Sequence, residues 1–178
     1  KLGTILGFDE FPKLSFFQSE NLWLHTKVQV GNSALASNVG TNVTIPRGEW
    51  VHLAGSYDNQ KLKLYINNTL AGEEEQAGQL TEVGSQLKIG GFGFGDGFRG
   101  FARDIRVWKT ALSQAELQAA SQSPIDTSDP DLVANWRLNN GSDSLDVDVV
   151  SGARLYLGGS LDLEEASVEP GWHLTNPF

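Results

Sequence analysis

The chain has 178 residues, a formal net charge of −9 and no cysteine. The negative charge argues against nucleic acid as a partner, because phosphate binding requires clustered Lys and Arg, and the absence of cysteine excludes disulfides, metal–thiolate sites and thiol nucleophiles. The length suggests one domain, and 20 glycines, five tryptophans and nine phenylalanines favour short strands with tight turns and large aromatic core residues.

The first part of the chain reads as a hairpin. Segments 13–17 and 22–30 alternate apolar and polar residues, which is typical of strands, and the polar segment 18–21 between them predicts a turn. Residues 31–41, rich in Ser, Asn and Gly, are predicted to form a loop or a weak strand.

The central part predicts two further antiparallel strands joined by a tight polar turn. Apolar and polar residues alternate in 50–57 and again in Lys61–Ile66, and Asp58-Asn59-Gln60 supplies residues that tolerate the backbone angles of a short hairpin loop. Asn67-Asn68 predicts a second turn, so that the hairpin continues as a meander into Thr69.

One short helix is predicted near residue 113. The segment Ser113-Gln-Ala-Glu116 fits a capping box, and the helix-forming residues that follow predict a helix over 113–121. The composition of 123–130 is that of a linker. Beyond it, 132–138 and 153–157 are predicted strands.

Several segments, taken in this order, resemble laminin-G-like modules of the concanavalin A-like lectin/glucanase superfamily. The segments are Gly48–Asp58, Leu64–Ala71, Leu87–Gly90, Phe98–Trp108 and Thr110–Leu117. The resemblance implies an all-β fold, an antiparallel jelly-roll β-sandwich with one short helix. A fold by itself does not give a function.

The resemblance also predicts the domain organisation. Residues 1–122 are expected to form the laminin-G-like β-sandwich, 123–130 a linker, and 131–178 C-terminal strands that complete this sandwich or lead to a neighbouring module. Because residue 1 is Lys and Met is absent, the chain is expected to be a processed product or a piece of something longer. The usual first strands of the family are not recognised in it. Exposed sheet edges require a partner: either 132–138 pairs beside a strand of the first thirty residues, or another chain supplies the missing strands.

The superfamily includes glucanases, so glycan hydrolysis is the enzymatic function to consider. The acidic residues of this chain do not support it. A glucanase needs two carboxylates on one strand face, one protonated and one ionised. Glu73–Glu75 alternates suitably but is predicted to lie in a solvated loop, and the acids within 162–165 lack the glucanase pattern. Asp146 and Asp148 are predicted to lie in a turn or an edge strand kept soluble by charge. The chain is therefore predicted not to be an enzyme.

Histidine and tryptophan residues are predicted to be structural. His25, His52 and His173 have no metal-type spacing, and His52 is expected to be packed or hydrogen-bonded on the sheet. Four tryptophans fall in predicted strands and are expected to be mostly core: Trp23, Trp50, Trp108 and Trp136.

The glycine-rich loop 90–98 is the predicted binding site. Aromatic side chains on a glycine-rich rim can stack on sugars or anchor a partner, although the phenylalanines could also fold inward as core. The candidate residues are Phe92, Phe94, Asp96, Phe98 and Arg99, together with Trp172 near the chain end. Related laminin-G-like domains often bind calcium at this rim, and Asp96 is the weak candidate ligand here. Calcium is the one cofactor that the resemblance implies.

The predicted function is that of a noncatalytic extracellular or cell-surface recognition and adhesion module that binds carbohydrate or a surface protein. A structural subunit of an extracellular fibre or sheath, assembled by strand exchange with other copies or neighbouring modules, is the first alternative. A glycan-processing enzyme is the second. No segment has the length of a membrane span. Three glycosylation-type triplets begin at Asn42, Asn67 and Asn140, all in predicted turns.

Overall fold

The computed structural model describes residues 3–8, 15–18, 22–30, 33–41, 45–46, 48–80, 87–89, 100–139 and 145–156. The strands of this part of the chain are β1 Gly3–Phe8, β2 Ser15–Gln18, β3 Leu22–Val30, β4 Ser33–Gly40, β5 Leu53–Tyr57, β6 Lys61–Ile66, β7 Thr69–Glu75, β8 Gln79–Leu80, β9 Leu87–Ile89, β10 Ile105–Trp108, β11 Leu132–Trp136, β12 Leu145–Val147 and β13 Arg154–Tyr156. The helix α1 spans Gln114–Gln122. The chain forms two compact units, Lys1–Arg99 with Thr110–Ile125, and Gly100–Lys109 with Asp126–Phe178.

Two antiparallel sheets make up the first unit. The larger sheet has the strand order β4-β3-β2-β1-β9, and β8 also pairs with β3. Its longest ladder joins β3 and β4 over eight residue pairs, from Trp23 opposite Gly40 to Val30 opposite Ser33. The segment 33–40 therefore forms a full strand, whereas the sequence predicted a loop or a weak strand there. The smaller sheet has the order β5-β6-β7.

The core of this unit lies between the two sheets. Alternation places every second side chain of a strand on the same face, and the buried faces of both sheets contribute to one hydrophobic cluster. Its buried members are Phe16, Leu22, Leu24 and Val39 from the larger sheet and Leu62 and Leu64 from the smaller one. The structure confirms the predicted all-β antiparallel sandwich with a short helix.

Gly72 allows the sheets to approach closely at one point. A Cβ atom on this glycine would lie 2.7 Å from Cγ2 of Val39 and 3.0 Å from the carbonyl oxygen of Gly40. Real Cβ atoms do not approach other atoms so closely, so a larger residue would force the sheets apart. The glycine is therefore a packing requirement.

Both predicted turns of the smaller sheet are confirmed. The Asp58 carboxylate accepts hydrogen bonds from the backbone N–H of Gln60 at 3.0 Å and of Lys61 at 2.7 Å. Asn67 and Asn68 have φ values of 50° and 63°. Asparagine tolerates this left-handed region, and two successive residues there form the tight turn that matches strand twist.

The predicted helix is confirmed, with its first residue at Gln114. The Ser113 hydroxyl accepts a hydrogen bond from the Glu116 N–H at 3.3 Å, and the Glu116 carboxylate accepts one from the Ser113 N–H at 2.7 Å. This capping box satisfies two N–H groups that the first helical turn leaves without carbonyl partners. Leu117 is buried.

The second unit contains two antiparallel strand pairs, β10 with β11 and β12 with β13. Ala134 and Trp136 of β11 are buried, and the Trp136 indole N–H donates to the carbonyl oxygen of Ala153 at 3.2 Å. Within the described ranges β11 pairs with β10 and not with a strand of the first thirty residues. The alternative, that another chain supplies the missing strands, stays a prediction.

Two further expectations were wrong. Glu73–Glu75 was expected in a loop but belongs to strand β7, where Glu73 pairs opposite Lys63 and Glu75 opposite Lys61. Opposite charges on paired residues of neighbouring strands are favourable, so an acidic segment can form a strand here. Trp50 precedes β5 and is 44% exposed, so it is not a core residue.

Candidate functional site

The residues predicted from sequence to form the binding site lie outside the described part of the chain. They are Phe92, Phe94, Asp96, Phe98, Arg99 and Trp172. The glycine-rich loop and the calcium ligand Asp96 therefore stay predictions. Within the described ranges, no group of three or more His, Asp or Glu side chains could hold a metal ion.

The alternating carboxylates of β7 are ion-paired. Lys61 Nζ lies 2.6 Å from Glu73 Oε1 and 3.4 Å from Glu75 Oε1. The hydrogen bond from Lys61 to Glu73 and the charge of Glu73 raise the pKa of the lysine. A glycosidase needs one of its two carboxyl groups protonated as the acid. Glu73 and Glu75 both contact the same lysine at the surface of the sheet, which is the geometry of a surface ion-pair cluster.

Asp146 and Asp148 are buried, with 5% and 2% of their surface exposed. The Asp148 carboxylate accepts hydrogen bonds from the N–H groups of Asn135, Val150 and Ser151 and from the Ser151 hydroxyl. Asp146 accepts one from the N–H of Leu138 at 2.8 Å. Asp146 lies in strand β12 and Asp148 directly follows it, as predicted, but the expectation that charge keeps this segment in solvent was wrong, because both carboxylates are buried.

Hydrogen bonding decides the ionisation of Asp148. Burial alone would raise the pKa of its carboxyl group, but the bonds from Ser151, Asn135 and Val150 outweigh burial and lower it. A buried carboxylate that stays ionised and whose two oxygens accept four hydrogen bonds cannot serve as a proton donor near neutral pH. Asp148 thus holds the turn after β12 against β11.

An aromatic side chain lies on the face of the larger sheet opposite the core. Leu22 and Leu24 are fully buried between the sheets, and Trp23, between them in sequence, points the other way and is partly exposed. A Cβ on Gly40 would lie 2.6 Å from Trp23 Cζ3 and 2.8 Å from both Cε3 and Cη2. The benzene ring of the indole therefore lies directly over the glycine of the next strand.

Strand pairing places other residues in register with Trp23 on this face. Phe17 of β2 pairs with Trp23 on the side opposite Gly40. In the next row, two residues along the strands, Ser15 pairs with His25 and His25 with Asn38. We call these six register positions (Ser15, Phe17, Trp23, His25, Asn38 and Gly40) the Trp23 face.

The expectation that Trp23 is a core residue was therefore wrong, and the sequence contained a signal for the Trp23 face that the prediction did not use. Trp23 lies out of phase with Leu22, Leu24 and Thr26 in a strand of strict alternation, so it could not share their buried face. A tryptophan on the solvent side of a sheet, beside a glycine in the neighbouring strand, is what a flat binding platform requires.

A second exposed tryptophan lies elsewhere in the first unit. Trp50 comes two residues before His52, whose backbone N–H donates to Asn67 Oδ1 at 3.0 Å and whose carbonyl accepts from the Asn67 N–H at 2.8 Å. Trp50 therefore lies two residues before a segment that is hydrogen-bonded to the β6–β7 turn.

In the part of the chain that the structure describes, no helix has the length and apolar character needed to cross a membrane.

Comparisons with curated proteins find similarity over a limited region. Mouse pappalysin-1 is 39% identical over 75 residues and human pappalysin-1 is 37% identical over 75 residues, each match covering 39% of this chain. The chain spans only 5% of the length of these relatives.

Comparison with solved structures finds the following two proteins. A protein from Bacteroides ovatus, described as a "putative carbohydrate binding protein", superposes with a TM-score of 0.65 at 17% identity, covering 89% of this chain and 50% of that one. An S-layer domain-containing protein from Clostridium thermocellum gives a TM-score of 0.38 at 20% identity, covering 67% and 63%.

The Laminin_G_3 family model, described as the concanavalin A-like lectin/glucanases superfamily, matches residues 6–118. This match covers most of the chain and agrees with the observed sandwich of antiparallel sheets. The chain therefore belongs to the Laminin_G_3 family of the concanavalin A-like superfamily.

Proposed function

We propose that this chain is a noncatalytic extracellular recognition module that binds carbohydrate on the Trp23 face. The observation that carries the proposal is the position of the Trp23 indole, which lies over Gly40 on the side of the sheet away from the core and is partly exposed. An aromatic ring lying along a sheet surface offers a flat apolar area to a ligand.

A pyranose ring matches such a surface. Its C–H-bearing face is apolar and can stack on an indole, while its hydroxyl groups need hydrogen-bond partners at the edge of the ring. The neighbouring row of the Trp23 face, with Ser15, His25 and Asn38, contains residue types that both donate and accept hydrogen bonds. A tryptophan beside register positions held by Ser, His and Asn suits a sugar better than a wholly apolar partner.

Net charge favours a neutral glycan. The chain carries a formal charge of −9, and like charges repel at long range unless salt screens them. We therefore expect neutral polysaccharides to bind in preference to sulfated or uronic acid polymers.

The comparisons support this class of function. The superfamily includes lectins, and the Bacteroides ovatus protein of similar fold is described as a "putative carbohydrate binding protein". The carboxylates already described support a noncatalytic role. Glu73 and Glu75 both contact Lys61. Asp148 is buried and its oxygens are enclosed by hydrogen-bond donors.

The glycine-rich loop stays a second proposed contact for the same ligand or for a surface protein. Its residues are Phe92, Phe94, Asp96, Phe98 and Arg99, with Trp172 near the end of the chain. If calcium binds, Asp96 is the proposed ligand, and chelation would then weaken binding at this loop without affecting the Trp23 face.

The test is calorimetric titration and affinity electrophoresis with soluble neutral polysaccharides and with sulfated ones. We expect Trp23→Ala to weaken neutral-glycan binding by at least about tenfold, or ~1.4 kcal/mol. Gly40→Ala should also weaken it while leaving the fold intact, because a methyl group at this position must displace the Trp23 ring. Trp50→Ala is the matched control, since Trp50 is an exposed tryptophan outside the larger sheet, and it should bind like the wild type.

Unchanged affinity in a folded Trp23→Ala variant would contradict the proposed site. If the wild-type chain binds no saccharide at all, the carbohydrate proposal fails as a whole.

A further inference from the structure

We propose that Asn67 is an acceptor for an N-linked glycan. This modification site is distinct from the Trp23 face and does not depend on carbohydrate binding there. The triplet Asn67-Asn68-Thr69 has the acceptor pattern, an asparagine followed by any residue except proline and then Thr or Ser. The triplets at Asn42 and Asn140 lie outside the described residues, whereas the triplet at Asn67 lies wholly within them.

The backbone places Asn67 at the tip of a hairpin. Ile66 and Thr69 pair across the end of β6 and β7, and the two asparagines between them form the connection. Both Asn67 and Thr69 are exposed. A glycan attached at this tip would extend into solvent without displacing core residues.

The side-chain amide of Asn67 is held in one orientation. Its Oδ1 accepts the N–H of His52 at 3.0 Å, while its backbone N–H donates to the His52 carbonyl at 2.8 Å. The amide is planar, so fixing the oxygen toward His52 turns Nδ2 to the other side. Among the described residues, Nδ2 of Asn67 donates no hydrogen bond. The nitrogen that would carry a glycan is therefore the end of the amide that the fold does not use.

Asn68 provides the contrast. Its Nδ2 donates to the Ser121 hydroxyl at 2.8 Å, which ties the turn to the end of helix α1, and its Oδ1 is buried. Asn68 also begins no acceptor triplet, since Leu70 stands two positions later. Of two adjacent asparagines with similar backbone angles, one is used for packing and the other remains accessible.

The chemistry requires a sugar donor activated as a lipid-linked pyrophosphate. Nδ2 of Asn67 attacks the anomeric carbon and forms the N–C bond, while the bond from that carbon to the pyrophosphate oxygen breaks. The lipid pyrophosphate leaves with the bonding electrons, and the amide nitrogen loses one proton to a base of the transferase. The amide oxygen keeps its role as acceptor, so the hydrogen bond from His52 survives the modification.

The experiment is secretion of the full chain from a eukaryotic cell, with Asn42 and Asn140 replaced by Gln so that a single triplet remains. Intact mass is measured before and after treatment with a peptide N-glycosidase. We expect one removable glycan on the secreted chain, with aspartate at position 67 after its release.

Four variants sharpen the test. Asn67→Gln and Thr69→Ala should abolish the mass shift, and Thr69→Ala does so without altering the turn residues. Asn68→Gln and Thr69→Ser should retain it. A secreted, folded chain with no glycan at Asn67, or a shift that persists in Thr69→Ala, would overturn the assignment. A glycosylated chain whose melting temperature falls well below that of the enzyme-treated chain would contradict the inference that the fold accommodates the sugar.

Discussion

Replacing Asp148 with Asn tests how the second unit is held together. The substitution keeps the shape of the side chain but turns one carboxylate oxygen into an NH₂ group. If Oδ1 is kept, the bonds from Asn135 and Val150 remain, and the new NH₂ group faces the N–H of Ser151. A charge-assisted hydrogen bond contributes about 1.5–3 kcal/mol and a stranded buried donor costs about 1–3 kcal/mol.

We therefore expect Asp148→Asn to destabilise the second unit by about 2–4 kcal/mol at neutral pH, because at least one charge-assisted bond is lost and one N–H is left without an acceptor. The measurement is urea unfolding followed by circular dichroism, with hydrogen exchange of segment 132–153 as the local readout. Faster exchange should be concentrated at Asn135 and Ser151.

Asp126→Asn is the matched control. Asp126 also accepts an N–H and a hydroxyl hydrogen bond, both from Ser128, at 2.9 Å and 2.6 Å, but it is exposed. Water can replace those bonds, so its substitution should change stability by no more than about 0.5 kcal/mol. Equal losses for the two variants would refute the reasoning, since burial would then not decide the cost.

The pH dependence follows from the same hydrogen bonds. The folded-state pKa of Asp148 is lowered below its ordinary value of 3.8. A carboxyl group of this kind stabilises the fold above its unfolded-state pKa, and that contribution is lost as the pH falls through the folded-state pKa. The difference between the wild type and Asp148→Asn should therefore be constant near neutrality and shrink only below about pH 4. A difference that disappears near pH 6 would point to another group.

Three further predictions concern the first unit and the absence of catalysis. Leu64→Ala should lower the free energy of unfolding by about 2–5 kcal/mol in urea titrations, because Leu64 is fully buried between the sheets and its truncation leaves a cavity. A loss below about 1 kcal/mol would mean that neighbouring residues fill the cavity or that Leu64 is not a core residue. Gly72→Val should cost about 1–3 kcal/mol by overpacking against Val39, and combining it with Val39→Ala should recover part of that loss. The purified chain should release no reducing sugar from β-glucan, and turnover that disappears on replacing a single Glu or Asp would reveal a catalytic pair that we have missed.

Local features were predictable from the sequence because they depend on neighbouring residues. The capping box at Ser113 satisfies donors three residues away, and the turn at Asn67-Asn68 depends on the backbone preferences of two asparagines. The strands followed from the alternation of apolar residues. The resemblance to laminin-G-like modules was likewise carried by short ordered segments.

Burial of charge was not predictable in this way. Asp146 and Asp148 alternate with valines, a pattern that a solvated edge strand would also show. Asp148 accepts three of its hydrogen bonds from Val150 and Ser151, which are near in sequence. The remaining donors, the N–H of Leu138 to Asp146 and the N–H of Asn135 to Asp148, are 8 and 13 residues away and become neighbours only when β11 packs beside the turn after β12. The cost of burying these two carboxylates is therefore offset in part by partners that no local pattern reveals.

The sequence by itself determined the turns and the helix start of this protein, because backbone preference and capping act over a few residues, and its resemblance to laminin-G-like modules implied the fold class. Only the tertiary structure decided which glycine lies beneath the Trp23 ring and which of two adjacent asparagines remains accessible. These properties depend on cross-strand register and on contacts between residues distant in sequence, such as Asn67 with His52 and Asn68 with Ser121. A shift of one residue in register would exchange the two faces of a strand, so strand pairing, and not composition, decides which residues lie beside Trp23.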